Sequence, residues 1–130
     1  MSNFCIGARV WHSDKQQSFT VGATAVVSGQ ILKFSSGLLV TAADNDQQGL
    51  FMIALQNAAA GAQCVVSLDE DTIFDLYYSG TATPAVGAAY GISDGKTMDP
   101  DNTTQKLVTV LEMLDATAQY VCVKFYQKTA

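Results

Sequence analysis

An all-β fold is predicted from this sequence: a small β-sandwich or partly closed barrel built from two similar three-stranded units, preceded by an extended N-terminal arm. Three observations predict it. Apolar residues recur with period two in several short segments, the signature of half-buried strands. Gly, Asn, Asp and Ser turns separate those segments. The two halves also resemble each other at an offset of 58 residues, Gly29 falling opposite Gly87.

The arm is read over residues 1–24 and the β domain over 25–130. Residues 1–24 contain Phe4, Trp11, Phe19, the single histidine and a polar stretch from Ser13 to Ser18, with no sustained period of 2 or 3.6. In the β domain, Cys64, Val66 and Leu68 alternate with Val65 and Ser67. Phe74, Leu76 and Tyr78 oppose Ile73, Asp75 and Tyr77. Leu107, Thr109, Leu111 and Met113 alternate with Val108, Val110 and Glu112, and Val121, Val123 and Phe125 with Tyr120, Cys122 and Lys124. The run Gly49 to Leu55 is apolar on both faces and suits a strand covered on both sides. Ala58 to Ala60 has helical propensity, but Gly61 leaves no room for a stable helix.

The internal similarity places Gly29–Gly37 opposite Gly87–Gly95 and Leu50–Leu55 opposite Val108–Met113. After one deletion, Cys64–Leu68 falls opposite Val121–Phe125. Gly37 and Gly95 each close a Ser-x-Gly turn and are expected to supply the positive φ of a tight hairpin.

A chain of 130 residues fits one domain. Hydrophobic residues make up 48% and charged ones 15%, which suggests a surface covered in the working state, by an oligomer or a bound layer. The net charge of −5 and seven scattered basic residues argue against nucleic acid and anionic lipid as partners. The apolar run Leu50–Leu55 is too short to span a bilayer. The first residues lack the basic-then-apolar order of a secretory signal, so synthesis in a cytoplasm is expected. Cys5, Cys64 and Cys122 form no C-x-x-C pair and are expected as buried reduced thiols.

A lone histidine, His12, removes the Ser-His-Asp, Cys-His and His-rich zinc constellations. Asp69-Glu70-Asp71 and the cluster Asp94, Asp99 and Asp101 fall in expected hairpin loops, where solvated turns are the default. Loop carboxylates with Asn102 offer oxygen ligands for calcium, but their spacing does not match the helix-flanked calcium loop. Phosphate-binding glycine patterns are missing. No enzyme is expected, and no cofactor or metal. Phe4, Trp11 and Phe19 are costly to leave in water, so the arm folds back on its own domain or reaches a neighbouring subunit.

Ser28-Gly-Gln-Ile-Leu-Lys-Phe-Ser-Ser-Gly37, the Ala42–Asp46 loop and Gly49–Asn57 followed by Ala-Ala-Ala-Gly-Ala-Gln resemble the head-decoration, or capsid cement, proteins of tailed bacteriophages. Val86–Gly95, Thr109–Asp115 and Tyr120–Phe125 continue the resemblance, which covers residues 25–126. It implies a structural protein on the outer surface of the mature head, made in the host cytoplasm, with the major capsid protein as partner. Such proteins are commonly homotrimers and sometimes dimers or monomers that clamp capsid subunits and carry no catalytic residue, and a homo-oligomer, trimer before dimer, is expected here. An N-terminal arm often makes part of that contact, here through Phe4, Arg9, Trp11, His12 and Phe19. The alternative is a carbohydrate- or receptor-binding β module of a virion. That would need a solvent-facing aromatic platform, with Tyr77, Tyr78, Tyr90 and Tyr126 as candidates.

Overall fold

The computed structural model describes residues 10–11, 16–43, 50–68 and 73–126, and among these all regular structure is β. The strands are β1 (Val10–Trp11), β2 (Gln16–Thr20), β3 (Ile31–Ser35), β4 (Leu38–Thr41), β5 (Phe51–Ala54) and β6 (Gln63–Ser67). They continue as β7 (Ile73–Tyr78), β8 (Ala89–Asp94), β9 (Thr97–Asp99), β10 (Val108–Asp115) and β11 (Tyr120–Phe125).

Two sheets result. The first runs β2-β6-β5-β3-β4, and the second runs β1-β7-β11-β10-β8-β9. In the second, β7 also pairs in parallel with β9 through Tyr77↔Thr97 and Tyr78↔Met98, which closes five strands into a barrel. In the first, a single parallel bridge, Val21↔Leu39, joins the ends, and the Gly22 N–H donates to the Leu39 carbonyl at 2.9 Å.

Apart from β1, one strand order therefore serves both sheets, and the registers correspond. The pair Phe19↔Cys64 in the first stands where Leu76↔Val121 stands in the second. Leu32↔Met52 matches Tyr90↔Val108, and Ala54↔Val66 matches Val110↔Val123. Most of these inward positions are buried, as the period-two pattern demands. Ile53, on the outer face of the first sheet, packs with Ile31 and Ala42 into the core of the second. That is why Phe51–Ala54 is apolar on both faces.

Several expectations change. The sequence gives each unit three strands; the sheets have five and six among the described residues, because β4 and β9 are short return strands of the two Ser-x-Gly turns, β2 and β7 add a strand beside β6 and β11, and β1 adds a sixth to the second sheet. The segment Gln16–Thr20, read as arm, is a strand on β6, and its polar Gln16-Gln17-Ser18 start hid the Phe19/Val21 alternation. Leu50–Leu55 was expected opposite Val108–Met113, yet Met52 corresponds to Val108, two residues away. A two-residue slip preserves which side chains face inward, so the pattern alone cannot detect it.

Gly37 has the expected positive φ, 82°, next to Ser36 at 52°. Gly95 does not adopt positive φ; a Cβ there would lie 2.8 Å from the Ile31 carbonyl oxygen. The Ile31 N–H donates to the Gly95 carbonyl at 2.7 Å, so this glycine lets the first sheet approach the second. Cys64 is a buried free thiol whose pKa burial pushes up. Cys5 lies outside the described residues, and Cys122 is instead disulfide-bonded. Its outward position on β11 leaves it clear of the barrel core, where a reduced thiol had been expected to pack as a small hydrophobe.

Candidate functional site

The outer face of β7 and β11 carries Asp75, Tyr77 and Tyr120, because Phe74, Leu76 and Tyr78 take the inward positions of β7. Tyr77 and Tyr120 are cross-strand partners, and their rings lie 4.1 Å apart at 31°. Tyr77 is 46% exposed, whereas Asp75, two residues along the same face, is 4% exposed.

The β2–β3 loop of the first sheet and Asp75 line the same recess. Val27, Ser28 and Gly29 form one wall of a cleft of about 310 Å³, and Asp75, Tyr77 and Tyr120 line the other. Leu76 and, from the β8–β9 turn, Lys96 complete the lining. Backbone contacts fix each part. The Ser28 N–H donates to Asn57 Oδ1 at 2.8 Å, and the Gly29 N–H to the Ala54 carbonyl at 2.8 Å. The Tyr77 N–H donates to the Lys96 carbonyl at 3.1 Å. The side-chain hydrogen bond with Tyr77 holds Tyr120 protonated and pushes its pKa up to about 12, helped by burial and by the charge of Asp75. The arrangement offers a recess beside the exposed ring of Tyr77.

The carboxylates of the second polar loop act on the fold. Asp101 accepts from the Thr81 N–H at 3.0 Å, the Ala82 N–H at 3.1 Å and the Thr81 hydroxyl at 3.4 Å. Asp99 Oδ1 accepts from the Asp101 N–H and Asp94 Oδ1 from the Lys96 N–H. These are turn-forming bonds of the Asx type. Among the described residues no three His, Cys, Asp or Glu side chains gather as a metal site. Residues 69–72, with the Asp69-Glu70-Asp71 cluster, lie outside the described residues.

Of the arm residues, Phe4, Arg9 and His12 also lie outside the described residues. The backbone of Trp11 pairs with Ile73, adding β1 to the chain's own second sheet. Phe19 packs edge-on against Phe34, with centroids 4.9 Å apart, at the first core. Of the four tyrosines weighed as a platform, Tyr78 and Tyr90 are buried, and Tyr90 accepts from the Ala85 N–H at 3.0 Å. Tyr126 is half-buried with the Lys106 ammonium 5.7 Å from its ring centre. Tyr77 alone of the four presents an open face. Its partner Tyr120, and Lys96 and the Val27–Gly29 wall, were missed. Alternation does put Asp75 and Tyr77 outward, but only the β7–β11 register brings Tyr120 beside them. Comparison with known protein families, with curated proteins and with solved structures finds no match to this chain.

Proposed function

We propose that this chain is a structural decoration protein of a bacteriophage head, binding the outer surface of the mature capsid as a homo-oligomer, with a trimer preferred. One observation carries the reading beyond the resemblance: a chain with 15% charged residues leaves large apolar side chains in water. Val86 is 65% exposed and Leu111 is 38% exposed. They come from adjoining segments, since the Gly87 N–H donates to the Val110 carbonyl at 2.8 Å. An apolar spot of this kind suits burial against a repeated lattice, where many weak contacts add up. In this reading Phe4, Arg9, Trp11 and His12 of the arm contribute to the capsid contact, while Phe19 serves the core. The shared strand order supports reading residues 16–126 as two similar units.

Cosedimentation with expanded, undecorated phage heads tests the proposal. Saturable binding at a fixed ratio to the major capsid protein is expected, weakened by removal of residues 1–9 and by Val86→Asp. Absence of binding to heads from any candidate phage would sink it.

A second reading, a carbohydrate- or receptor-binding module of a virion, is favoured by the cleft under the Val27–Gly29 loop and the open face of Tyr77. The two readings are compatible, because the exposed apolar spot and the cleft involve different residues.

A further inference from the structure

We infer that Tyr77 and Tyr120 are an oxidative modification site, where a peroxide and a haem peroxidase join the two rings into a dityrosine crosslink within one chain. The site depends only on the β7–β11 pairing and stands apart from both readings above. Tyr77 and Tyr120 are directly opposed on antiparallel strands, a position that sets Cβ atoms about 4.5 to 5.5 Å apart. Their ring centres are 4.1 Å apart, and the planes diverge by 31°. Five consecutive pairs hold this register, and the Tyr78 N–H donates to the Gln119 carbonyl at 2.9 Å beside it. Small rotations about the side-chain bonds therefore bring the ring edges together.

Exposure selects this pair among the tyrosines. Tyr77 is 46% exposed and its partner half-buried, so an oxidant reaches both. Tyr78 and Tyr90 are buried, and Tyr126 lies against the Lys106 ammonium. Each phenol gives up one electron and one proton to the peroxidase, leaving a phenoxyl radical whose spin is shared between the oxygen and the ring carbons beside it. The radicals combine through one Cε carbon of each ring. Those carbons then pass their hydrogens to the oxygens, which restores two phenols. In all, two ring C–H bonds are broken and one C–C bond is made, while the peroxide O–O bond is cleaved to give two molecules of water. Two radicals held opposite each other on one chain meet far more often than radicals on separate chains. The product ties β7 to β11 and closes a loop, so it restricts the unfolded chain as a disulfide does.

The test oxidises the full chain at high dilution with hydrogen peroxide and a haem peroxidase. Dityrosine fluorescence is read from the single-chain band of a denaturing gel, and peptide mapping locates the bond. The expected result is a crosslink between the peptides carrying Tyr77 and Tyr120, with two hydrogen atoms lost and a raised melting temperature. Its yield should fall about tenfold or more in Tyr77→Phe and in Tyr120→Phe, each of which keeps a ring in place, and stay unchanged in Tyr126→Phe. No fluorescence in the single-chain band would overturn the inference. So would a crosslink mapped to Tyr126, or one whose yield survives Tyr77→Phe. Dityrosine confined to linked dimers would also overturn it, because the rings that meet would then belong to different chains.

Discussion

The two sheets share one strand order but fill and close it differently. At the closing pair the first sheet has Val21 and Leu39, and the second has Tyr78 and Met98. Across the core, Leu32 corresponds to Tyr90 and Cys64 to Val121, while Phe19 and Phe34 correspond to Leu76 and Ile92. At these positions the aromatic residues have changed places: Phe19 against Phe34 in one sheet, Tyr78 and Tyr90 in the other. Cores tolerate such redistribution when total volume and inward patterning are kept. The tyrosines bring hydroxyls that must be satisfied, and each finds a backbone partner: Tyr78 donates to the Ala116 carbonyl at 3.5 Å, and Tyr90 accepts from Ala85.

The sheets differ most at one end. Phe74 is fully buried and packs on Phe125 with centroids 5.2 Å apart, but the corresponding residue of the first sheet is the exposed Gln17. The second sheet thus has an extra apolar layer, and β1 pairs alongside it at Phe74 and Ile73. Phe74→Ala should remove this layer and cost about 3 to 5 kcal/mol, the largest effect expected of any change considered. Phe19→Ala, at a half-buried ring, should cost less. Urea unfolding of both variants checks the order, and a Phe19 variant as damaging as the Phe74 variant would show that the first sheet carries the folding stability.

The glycines of the two Ser-x-Gly turns sharpen the comparison. A Cβ at Gly37 would meet open space, so Gly37→Ala pays only for its positive φ, about 1 kcal/mol. A Cβ at Gly95 would press on the Ile31 carbonyl, so Gly95→Ala should cost about 1 to 3 kcal/mol by forcing the sheets apart. Asn tolerates positive φ, so Gly37→Asn should recover most of the loss at its position, whereas Gly95→Asn should be worse than Gly95→Ala. Thermal melts of the four variants decide between the two causes.

Those glycines also show how far the sequence reaches. Alternation in Phe74–Tyr78 and Tyr120–Phe125 gave the all-β class and the inward faces, because burial on one side of a strand imposes period two. Gly29 and Gly87, aligned with each other in the sequence, both have φ near 90°. What lay out of reach was set by pairing between distant segments. β2 was hidden by its polar start, and the role of Gly95 depends on a carbonyl 64 residues earlier in the chain, at Ile31. The cleft was legible only in part, since Asp75 and Tyr77 share a strand but Tyr120, Lys96 and the Val27–Gly29 loop come from elsewhere. Its walls exist only once the sheets have docked.

The smallest expected effect lies at that cleft and again compares equivalent positions. Where the second sheet has Tyr77 across from Tyr120, the first has Thr20 across from Gln63, and the Gln63 amide donates to the Thr20 hydroxyl at 2.7 Å. Both sheets therefore join these two strands through side chains, but only the second uses groups that titrate and a surface on which a ring can stack. Tyr120 rises from an ordinary 10.0 to about 12, chiefly through its hydrogen bond with Tyr77. A raised tyrosine pKa means that folding favours the neutral hydroxyl. The contribution is complete below pH 10 and is lost as the pH climbs toward 12, with solvent exposure keeping it small. Ultraviolet titration of the phenolate should show one tyrosine ionising late, and Tyr77→Phe should return it toward the ordinary range. If the late phase survived Tyr77→Phe, burial and the charge of Asp75 would be what holds the Tyr120 proton instead.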